Sequence, residues 1–248
     1  WEHFQTGFER IGVPCVLVTS DASGLPFPNL SSVSSDDVLA GRSAIEHLIG
    51  LGHRKIAIIG GDKTSSDISR LRLEGCQQSF WDHGISFDSQ RDYRGVRFSC
   101  EDGYNATRSL LRSGDYTAIF AFSDLMAIGA LRALWEAGKR VPEDVSVMGF
   151  DGLALGSYLV PQLSTVIQSA RHMAQRSVEI LIDCIENGSG TALTPFHAMS
   201  AGKTTSYYNV WGKTSGTHVS YLAGGRKSYG DYLDNNYKSV YRSWIIKM

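Results

Sequence analysis

Several features that mark membrane, secreted or metal-binding proteins are missing from this sequence. Four cysteines are spread over 248 residues, with no C-x-x-C pair and no Cys/His cluster at zinc spacing. No apolar run approaches the roughly 18 residues of a membrane span. The opening segment WEHFQTGFERIG has neither the basic start nor the apolar stretch of a signal peptide. We therefore expect a protein of the reducing cytoplasm without a metal, a cofactor or a membrane partner.

An excess of charge of one sign is also missing. The chain has 24 Lys and Arg against 25 Asp and Glu, a net charge of −1, which gives no electrostatic reason to bind nucleic acid. With 42% hydrophobic and 20% charged residues the composition is that of a soluble globular protein, long enough for one large or two small domains. The chain opens without methionine, so we expect that Trp1 is not the natural first residue.

Catalytic motifs are absent as well. No H-E-x-x-H or Asp-rich metal loop occurs, and no histidine accompanies a nucleophile motif. The stretch KIAIIGGDKTSS invites comparison with a phosphate-binding P-loop, which needs a glycine, four residues and then Gly-Lys-Ser/Thr. Here Asp62 separates Gly61 from Lys63, and Ile58 stands where the first glycine should be. We interpret the stretch as a strand-to-helix loop and expect no enzymatic activity.

Apolar, β-branched runs alternate with amphipathic segments along most of the chain. The runs predict buried strands at 13–19, 55–61, 117–122 and 144–150, with a weaker strand at 92–97. The amphipathic segments predict helices at 36–52, 66–83, 103–113, 123–138 and 170–187. Residues 20–35, rich in Gly, Pro and Ser, are interpreted as a loop. The alternation predicts an α/β fold with parallel sheets and helices on both faces.

Polar residues follow three of the predicted strands. They lie in the loops 60–66, 123–124 and 151–152. In parallel sheets ligands bind at the carboxyl ends of the strands, so these loops are the predicted edge of a ligand site.

The last part of the chain has a different character. Seven of the eleven tyrosines lie beyond residue 200, and the strand–helix alternation stops. The segments TSYYNVW, HVSYL and SVYRSWII are compatible with strands of a small β unit. We interpret residues 191–248 as an atypical tail, either unrelated to the rest of the chain or frame-shifted.

Four segments carry a resemblance to a known family. They are HLIGLGHRKIAIIGG, RLEG, TAIFAFSDLMAIGALRALWEAGKRVPEDVSVMGFDG and PQLSTVIQSARHMAQRSVEILIDCIENG. In order and spacing, over roughly residues 8–188, they resemble the effector-binding core of the LacI–GalR family of bacterial transcriptional regulators. The resemblance implies a fold like that of type I periplasmic binding proteins. Two Rossmann-like subdomains are then joined by three crossings, with a small molecule in the cleft between them.

The resemblance also implies domain boundaries. Residues 1–52 and 163–190 correspond to the first, N-terminal subdomain, which is incomplete because its first strands are missing. Residues 53–162 correspond to the second subdomain. The N-terminal helix-turn-helix and hinge helix of the family, which enter DNA, have no counterpart in the chain, and residues 191–248 do not match the family's ending.

Five residues match ligand-binding positions of the family. Arg72, in RLEG, implies forked hydrogen bonds to the effector, for which a planar guanidinium is suited. Asp151, in GFDG, implies a carboxylate that accepts from two hydroxyl groups. Ser123 matches a polar position, Phe98 an aromatic that stacks on the effector, and Asp36 a position that contacts sugar hydroxyls.

Each of these residues also has an interpretation without a ligand. Arg72 could form a surface ion pair with a neighbour such as Glu74. Asp151 could cap a turn, Ser123 and Asp36 could cap helices, and Phe98 could belong to the core.

The resemblance implies a homodimer that binds operator DNA through the missing helix-turn-helix and responds to a small-molecule effector. The expected effector is a sugar, with a purine nucleobase as the alternative. A periplasmic sugar-binding protein that serves a transporter or a chemoreceptor has the same fold and cleft, so it remains open as an alternative function. A non-functional gene fragment with unpaired sheet edges is a third interpretation.

Overall fold

Strands and helices alternate along the chain in the computed structural model, which describes residues 12–20, 27, 29–168 and 170–187 and the backbone of three later strands. The strands are β1 (Cys15–Val18), β2 (Leu30–Ser34), β3 (Ile56–Gly60), β4 (Tyr93–Gly95), β5 (Ala118–Ala121), β6 (Ser146–Asp151), β7 (Ser164–Ile167), β8 (Phe196–His197), β9 (Lys203–Ser206) and β10 (His218–Tyr221). The helices are α1 (Asp37–Gly50), α2 (Asp67–Asp82), α3 (Cys100–Ser113), α4 (Asp124–Glu136) and α5 (Ala170–Asn187). A 3-10 helix spans Ala154–Tyr158.

The described strands form two sheets. One has the order β1-β2-β8 and is parallel throughout. The other has the order β10-β9-β7-β6-β5-β3-β4, in which β7, β6, β5, β3 and β4 are parallel and β9 and β10 are added antiparallel. The predicted α/β fold with parallel sheets is confirmed.

The core of the larger sheet is built from strands that are apolar on both faces. All five residues of β3 and all four of β5 are buried. Two helix pairs, α1 with α2 and α3 with α4, pack closely beside this sheet. Strands covered on both faces need no polar positions, which explains their unbroken apolar runs.

Side-chain caps decide where the helices of this unit begin. Asp36, Ser66, Ser99 and Ser123 each accept a hydrogen bond from a backbone N–H in the first turn of α1, α2, α3 and α4, respectively. The prediction that α3 begins at Gly103 was wrong by three residues, because Ser99 caps the helix and residues 100–102 form its first turn.

The interpretation of residues 20–35 as a loop was also wrong in part. Residues 30–34 form β2, which pairs in parallel with β1, and Leu30 and Val33 are fully buried. The three serines of LSSVS have low strand propensity, but sheet pairing satisfies the backbone and two apolar side chains provide the burial.

Packing places the crossings between the sheets at positions that differ from the sequence-based boundaries at 52 and 163. Helix α1 contributes Ala44, Ile45 and Leu48 to the core of the larger sheet, and β7 pairs with β6. Helix α5 packs on β1 and β2, where Met173 contacts the buried Val33. The chain therefore leaves the smaller sheet near Ser35 and returns to it after Ile167.

The remaining predictions concern the two ends of the chain. The described strand β10 lies within the predicted segment HVSYL. Residues 1–11 and the segment SVYRSWII lie outside the described residues. Within the described part of the chain, no helix combines the length and the apolar character needed to cross a membrane.

Candidate functional site

A cavity of about 400 Å³ lies where the two sheets approach each other. It is bounded by the carboxyl ends of β1 and β2, the first residues of α1, and the loop and first turns that begin α2. Six hydroxyl groups line it, from Thr19, Ser20, Ser34, Ser35, Ser65 and Ser66. Asp36, Asp37 and Asp67 also line it, with Asp37 paired to Arg72 and Asp67 to Arg70. The cavity is therefore rich in groups that exchange hydrogen bonds with hydroxyl-bearing molecules.

Arg72 lies beside this cavity and is only 3% exposed. Its Nε donates to Asp37 Oδ1 at 2.7 Å and its Nη1 donates to the Phe122 carbonyl at 2.7 Å. The guanidinium carbon lies 3.4 Å from the ring centroid of Phe150. Burial raises the pKa of Asp37, although the charge of Arg72 acts in the opposite direction. Arg72 thus ties α1 to the ends of β5 and β6.

The surroundings of Arg72 exclude the surface ion pair that was its alternative interpretation. Glu74 pairs with Arg70 and not with Arg72: Arg70 Nη1 lies 4.0 Å from Glu74 Oε2. Arg72 Nη2 makes no hydrogen bond with the described residues, so both of its N–H groups remain as donors.

Asp151 ends β6 in an unusual backbone conformation, with φ at +118°. Its Oδ1 accepts from Gln168 Nε2 at 2.7 Å. Burial raises the pKa of Asp151, and the hydrogen bond from Gln168 and the charge of Arg72 act against this rise. The carboxylate is half-buried and oriented, as a hydrogen-bond acceptor for a ligand should be.

Ser123 and Asp124 connect the ends of β5 and β6. Ser123 Oγ accepts from the Met126 N–H at 3.2 Å, so the serine caps α4. Asp124 accepts from Thr165 Oγ1 and from the Leu153 N–H, both at 2.6 Å. Burial raises the pKa of Asp124 to about 6. Asp124 therefore fastens the loop after Asp151, a structural role.

Asp36 and Phe98 lie at the periphery of this arrangement. Asp36 lines the cavity and caps α1 by accepting from the Leu39 N–H at 2.9 Å. Phe98 is 42% exposed and its ring abuts Gly61, at the end of β3. A half-exposed ring is not a core residue, so Phe98 retains a face on which a ligand could stack.

The structure brings Arg72, Asp151 and Ser123 together at the ends of β5 and β6. Of the five predicted residues, Asp36 is the one that lines the cavity itself. The sequence-based predictions missed Asp37 and Gln168, the partners of Arg72 and Asp151. The carboxyl-end rule would have indicated Ser34 and Ser35 had β2 been recognised.

Known proteins are similar to this chain in sequence and fold. Residues 45–199 match the family described as periplasmic binding protein-like domain. The HTH-type transcriptional regulator CelR of Thermobifida fusca is 36% identical over 178 residues, which are 71% of this chain and 52% of CelR. The HTH-type transcriptional regulator DegA of Bacillus subtilis (strain 168) is 35% identical over 161 residues, 65% of this chain and 46% of DegA. The chain spans about half the length of these relatives.

A solved structure supports the same relationship. It is that of a LacI family transcriptional regulator from Enterococcus faecium with bound ribose. The TM-score is 0.66 at 30% sequence identity, over 75% of this chain and 67% of that one.

Proposed function

This chain belongs to the family of periplasmic binding protein-like domains, and we propose that it is the effector-binding and dimerisation core of a LacI-type transcriptional regulator. The observation that carries the proposal is the polar cavity between the carboxyl ends of the two sheets. Both relatives described above are transcriptional regulators, which favours a regulator over a transporter subunit with the same fold.

The proposed effector is a sugar. A cavity of about 400 Å³ is of a size that accepts small molecules. Its hydroxyl and carboxylate lining offers both donors and acceptors to the hydroxyl groups of a sugar. The ribose bound in the related regulator supports this chemistry. A purine nucleobase, the alternative, has fewer hydrogen-bond donors than a sugar to offer to this lining.

Each predicted site residue has a part in this proposal. Arg72 presents Nη2 to the effector, and Asp151 accepts from its hydroxyl groups. Ser123 keeps its hydroxyl proton free to donate while it caps α4, and Asp36 contacts the effector from the first turn of α1. Phe98 stacks on the apolar face of the sugar ring.

The proposed response is a change in how the two sheets close on each other. An effector shifts the balance between two closure states only as far as its affinities for them differ. The binding event requires no bond to be made or broken, so we propose a binding protein without enzymatic activity. The re-oriented subdomains would then alter operator affinity through a helix-turn-helix outside this chain, in the cytoplasm.

Dimerisation is proposed through an apolar surface that follows β6. Leu153, Leu155, Tyr158 and Val160 are 41%, 51%, 82% and 99% exposed, respectively. Four large apolar side chains within eight residues form a surface that a monomer would leave in water.

Titration calorimetry of the chain with ribose, cellobiose and hypoxanthine tests the effector class. We expect a sugar to bind with one site per chain. Binding of hypoxanthine alone would assign a purine effector, and binding of none of the three would contradict a site for these classes. The coding DNA upstream of Trp1 separates the two functions: an in-frame helix-turn-helix supports a regulator, whereas a signal peptide supports a periplasmic binding protein.

A further inference from the structure

Gln168 directly follows β7 and hydrogen-bonds to the ends of both sheets. Its Nε2 donates to Asp151 Oδ1 at 2.7 Å, and its Oε1 accepts from Ser35 Oγ at 3.1 Å. Its backbone N–H donates to the Asp151 carbonyl at 3.2 Å. One side chain thus joins Asp151, at the end of the larger sheet, to Ser35, at the end of the smaller one.

The polarity of these bonds fixes the orientation of the amide. A carboxylate is only an acceptor, so the NH₂ group of Gln168 must face Asp151 when Asp151 is ionised. The amide oxygen then faces Ser35, whose hydroxyl can donate. The reverse orientation would set the amide oxygen against the carboxylate.

Asp151 needs to be held in place. At φ +118° its backbone lies in a region that side-chain-bearing residues rarely adopt, and Gly152 follows at φ +78°. Strained residues of this kind persist when their surroundings hold them, and they are concentrated at ligand sites. Gln168 hydrogen-bonds to Asp151 through both its side chain and its backbone. These two bonds help to stabilise the strained conformation of Asp151.

We propose that Gln168 is a positioning residue for effector binding, whose amide keeps the Asp151 carboxylate oriented to accept from the effector. This inference rests on the proposed role of Asp151 in the cleft. Gln168 acts through Asp151 and does not contact the effector. Its second bond, to Ser35, ties the oriented carboxylate to the smaller sheet.

A positioning role has a pH signature. Burial raises the pKa of Asp151, and the hydrogen bond from Gln168 counteracts the rise. Arg72 on α2 lowers this pKa, Asp37 on α1 raises it, and Asp124 at the start of α4 interacts with Asp151 as well. Without the amide, Asp151 stays protonated to a higher pH and loses acceptor strength there. Loss of effector binding on acidification should then begin at a higher pH.

The test replaces Gln168 by methionine, which keeps the length of the side chain and removes both amide hydrogen bonds. Ribose is titrated calorimetrically into the wild-type and Gln168→Met chains from pH 5 to pH 8. We expect about tenfold weaker binding at pH 7 for the variant, the value of one charge-assisted hydrogen bond, and an acid loss that begins at higher pH.

Two further variants sharpen the result. Gln162→Met is the matched control, because the Gln162 amide donates to the Ser157 carbonyl at 3.0 Å, away from Asp151, and this variant should bind as the wild type does. Gln168→Glu opposes two carboxylates. It should bind weakly at pH 7 and recover on mild acidification, when one of the two carboxyl groups becomes a donor.

Wild-type affinity in Gln168→Met, or an equal loss at every pH, would overturn the positioning role. Failure of the wild-type chain to bind ribose or cellobiose would instead count against the proposed function. In that case an NMR titration of the Asp151 carboxyl group in the free protein decides the inference. A higher pKa of Asp151 in Gln168→Met than in the wild type supports the proposal that Gln168 positions Asp151. An unchanged pKa of Asp151 refutes it.

Discussion

At the scale of single residues, Arg72 carries a full positive charge although it is almost completely buried. The stability of the folded protein therefore depends on the groups that pair with this charge. Its side chain is 4% exposed and that of Asp37 is 6% exposed. A buried ion pair adds little net stability compared with a pair of apolar residues at the same positions. Removal of one partner, however, leaves the other charge buried without a counter-ion.

Arg72→Met should therefore destabilise the protein by about 3 kcal/mol or more, because Asp37 loses its buried counter-ion. Urea unfolding followed by circular dichroism measures the change. Arg140→Met is the control: Arg140 Nη2 and Asp144 Oδ1 form a solvent-screened pair at 2.8 Å, and its loss should cost far less than loss of the buried pair. Equal effects of the two substitutions would show that the pair of Arg72 and Asp37 is solvated.

The raised pKa of Asp124 leads us to expect that the free energy of unfolding depends on pH. Burial raises its pKa in the folded protein to about 6, above the ordinary value of 3.8. Between these values the folded state binds more protons than the unfolded state, so the contribution of Asp124 to stability falls as the pH rises from about 4 to about 6. Above pH 6 the contribution is constant and unfavourable.

Asp124→Asn should remove this dependence, because a neutral amide can donate to Thr165 and accept from the Leu153 N–H. We expect the variant to match the wild type near pH 4 and to be more stable by roughly 2–3 kcal/mol at pH 7. Urea unfolding at both pH values provides the comparison. A difference that does not vary with pH would contradict the raised pKa.

The sequence indicated individual candidate residues but not the partners that hold them. Arg72 and Asp151 stand in short motifs that can be read locally. Asp37 and Gln168 are separated from them by 35 and 17 residues, respectively. These pairings exist only because α1 packs on α2 and β7 pairs with β6, and such contacts are not encoded by local patterns.

At the scale of elements, glycine governs how closely the helices approach. A Cβ on Gly75 would collide with the Val38 carbonyl, and one on Gly41 with the Arg72 carbonyl, so α1 and α2 touch backbone to backbone. Gly103 and Gly129 likewise allow backbone-to-backbone contact between α3 and α4. The close approach of α1 and α2 also sets the distance between Asp37 and Arg72.

Gly75→Ala should separate α1 from α2 and cost about 3 kcal/mol, at the upper end of the range for overpacking. Gly50→Ala is the matched control at the last residue of α1, where an added Cβ meets nothing within 4 Å. It should be neutral or stabilising by about 0.5 kcal/mol, because alanine favours a helix. Thermal unfolding of both variants measures the difference; tolerance of alanine at Gly75 would contradict the tight packing.

Most elements could be predicted because their signals are local. The amphipathic pattern predicted α2 within one residue at each end, and the apolar run of β3 identified that strand. Strand β2 could not be recognised from LSSVS, since its stability comes from pairing with β1. The start of α3 was missed because Ser99 was not identified as its cap.

At the scale of the whole molecule, the apolar surface after β6 predicts self-association. Tyr158→Asp places a charge on this surface and should convert a dimer into a monomer of 27.2 kDa in light scattering coupled to size exclusion. Trp81→Asp is the control, because Trp81 is 86% exposed on α2, away from this surface, and should leave the mass unchanged. A wild-type chain that is monomeric at high concentration would contradict the proposed interface.

The two-sheet arrangement is the feature on which the proposed response depends. The chain passes between the sheets near Ser35, which lines the polar cavity, and again after Ile167. The resemblance implied such crossings, but their positions emerged only from the packing of α1 and the pairing of β7. We therefore expect an effector bound in this cavity to act on the passage at Ser35 directly.

Calorimetric titration of ribose and cellobiose into the wild-type chain and into Asp151→Ala tests the cleft directly. Asp115→Ala, at an exposed aspartate before β5, serves as the matched control. We expect a sugar to bind the wild type and Asp115→Ala equally, and binding to Asp151→Ala to weaken by at least about tenfold with an unchanged circular dichroism spectrum. Equal sugar affinity in Asp151→Ala and the wild type would place the effector elsewhere and contradict the proposed site.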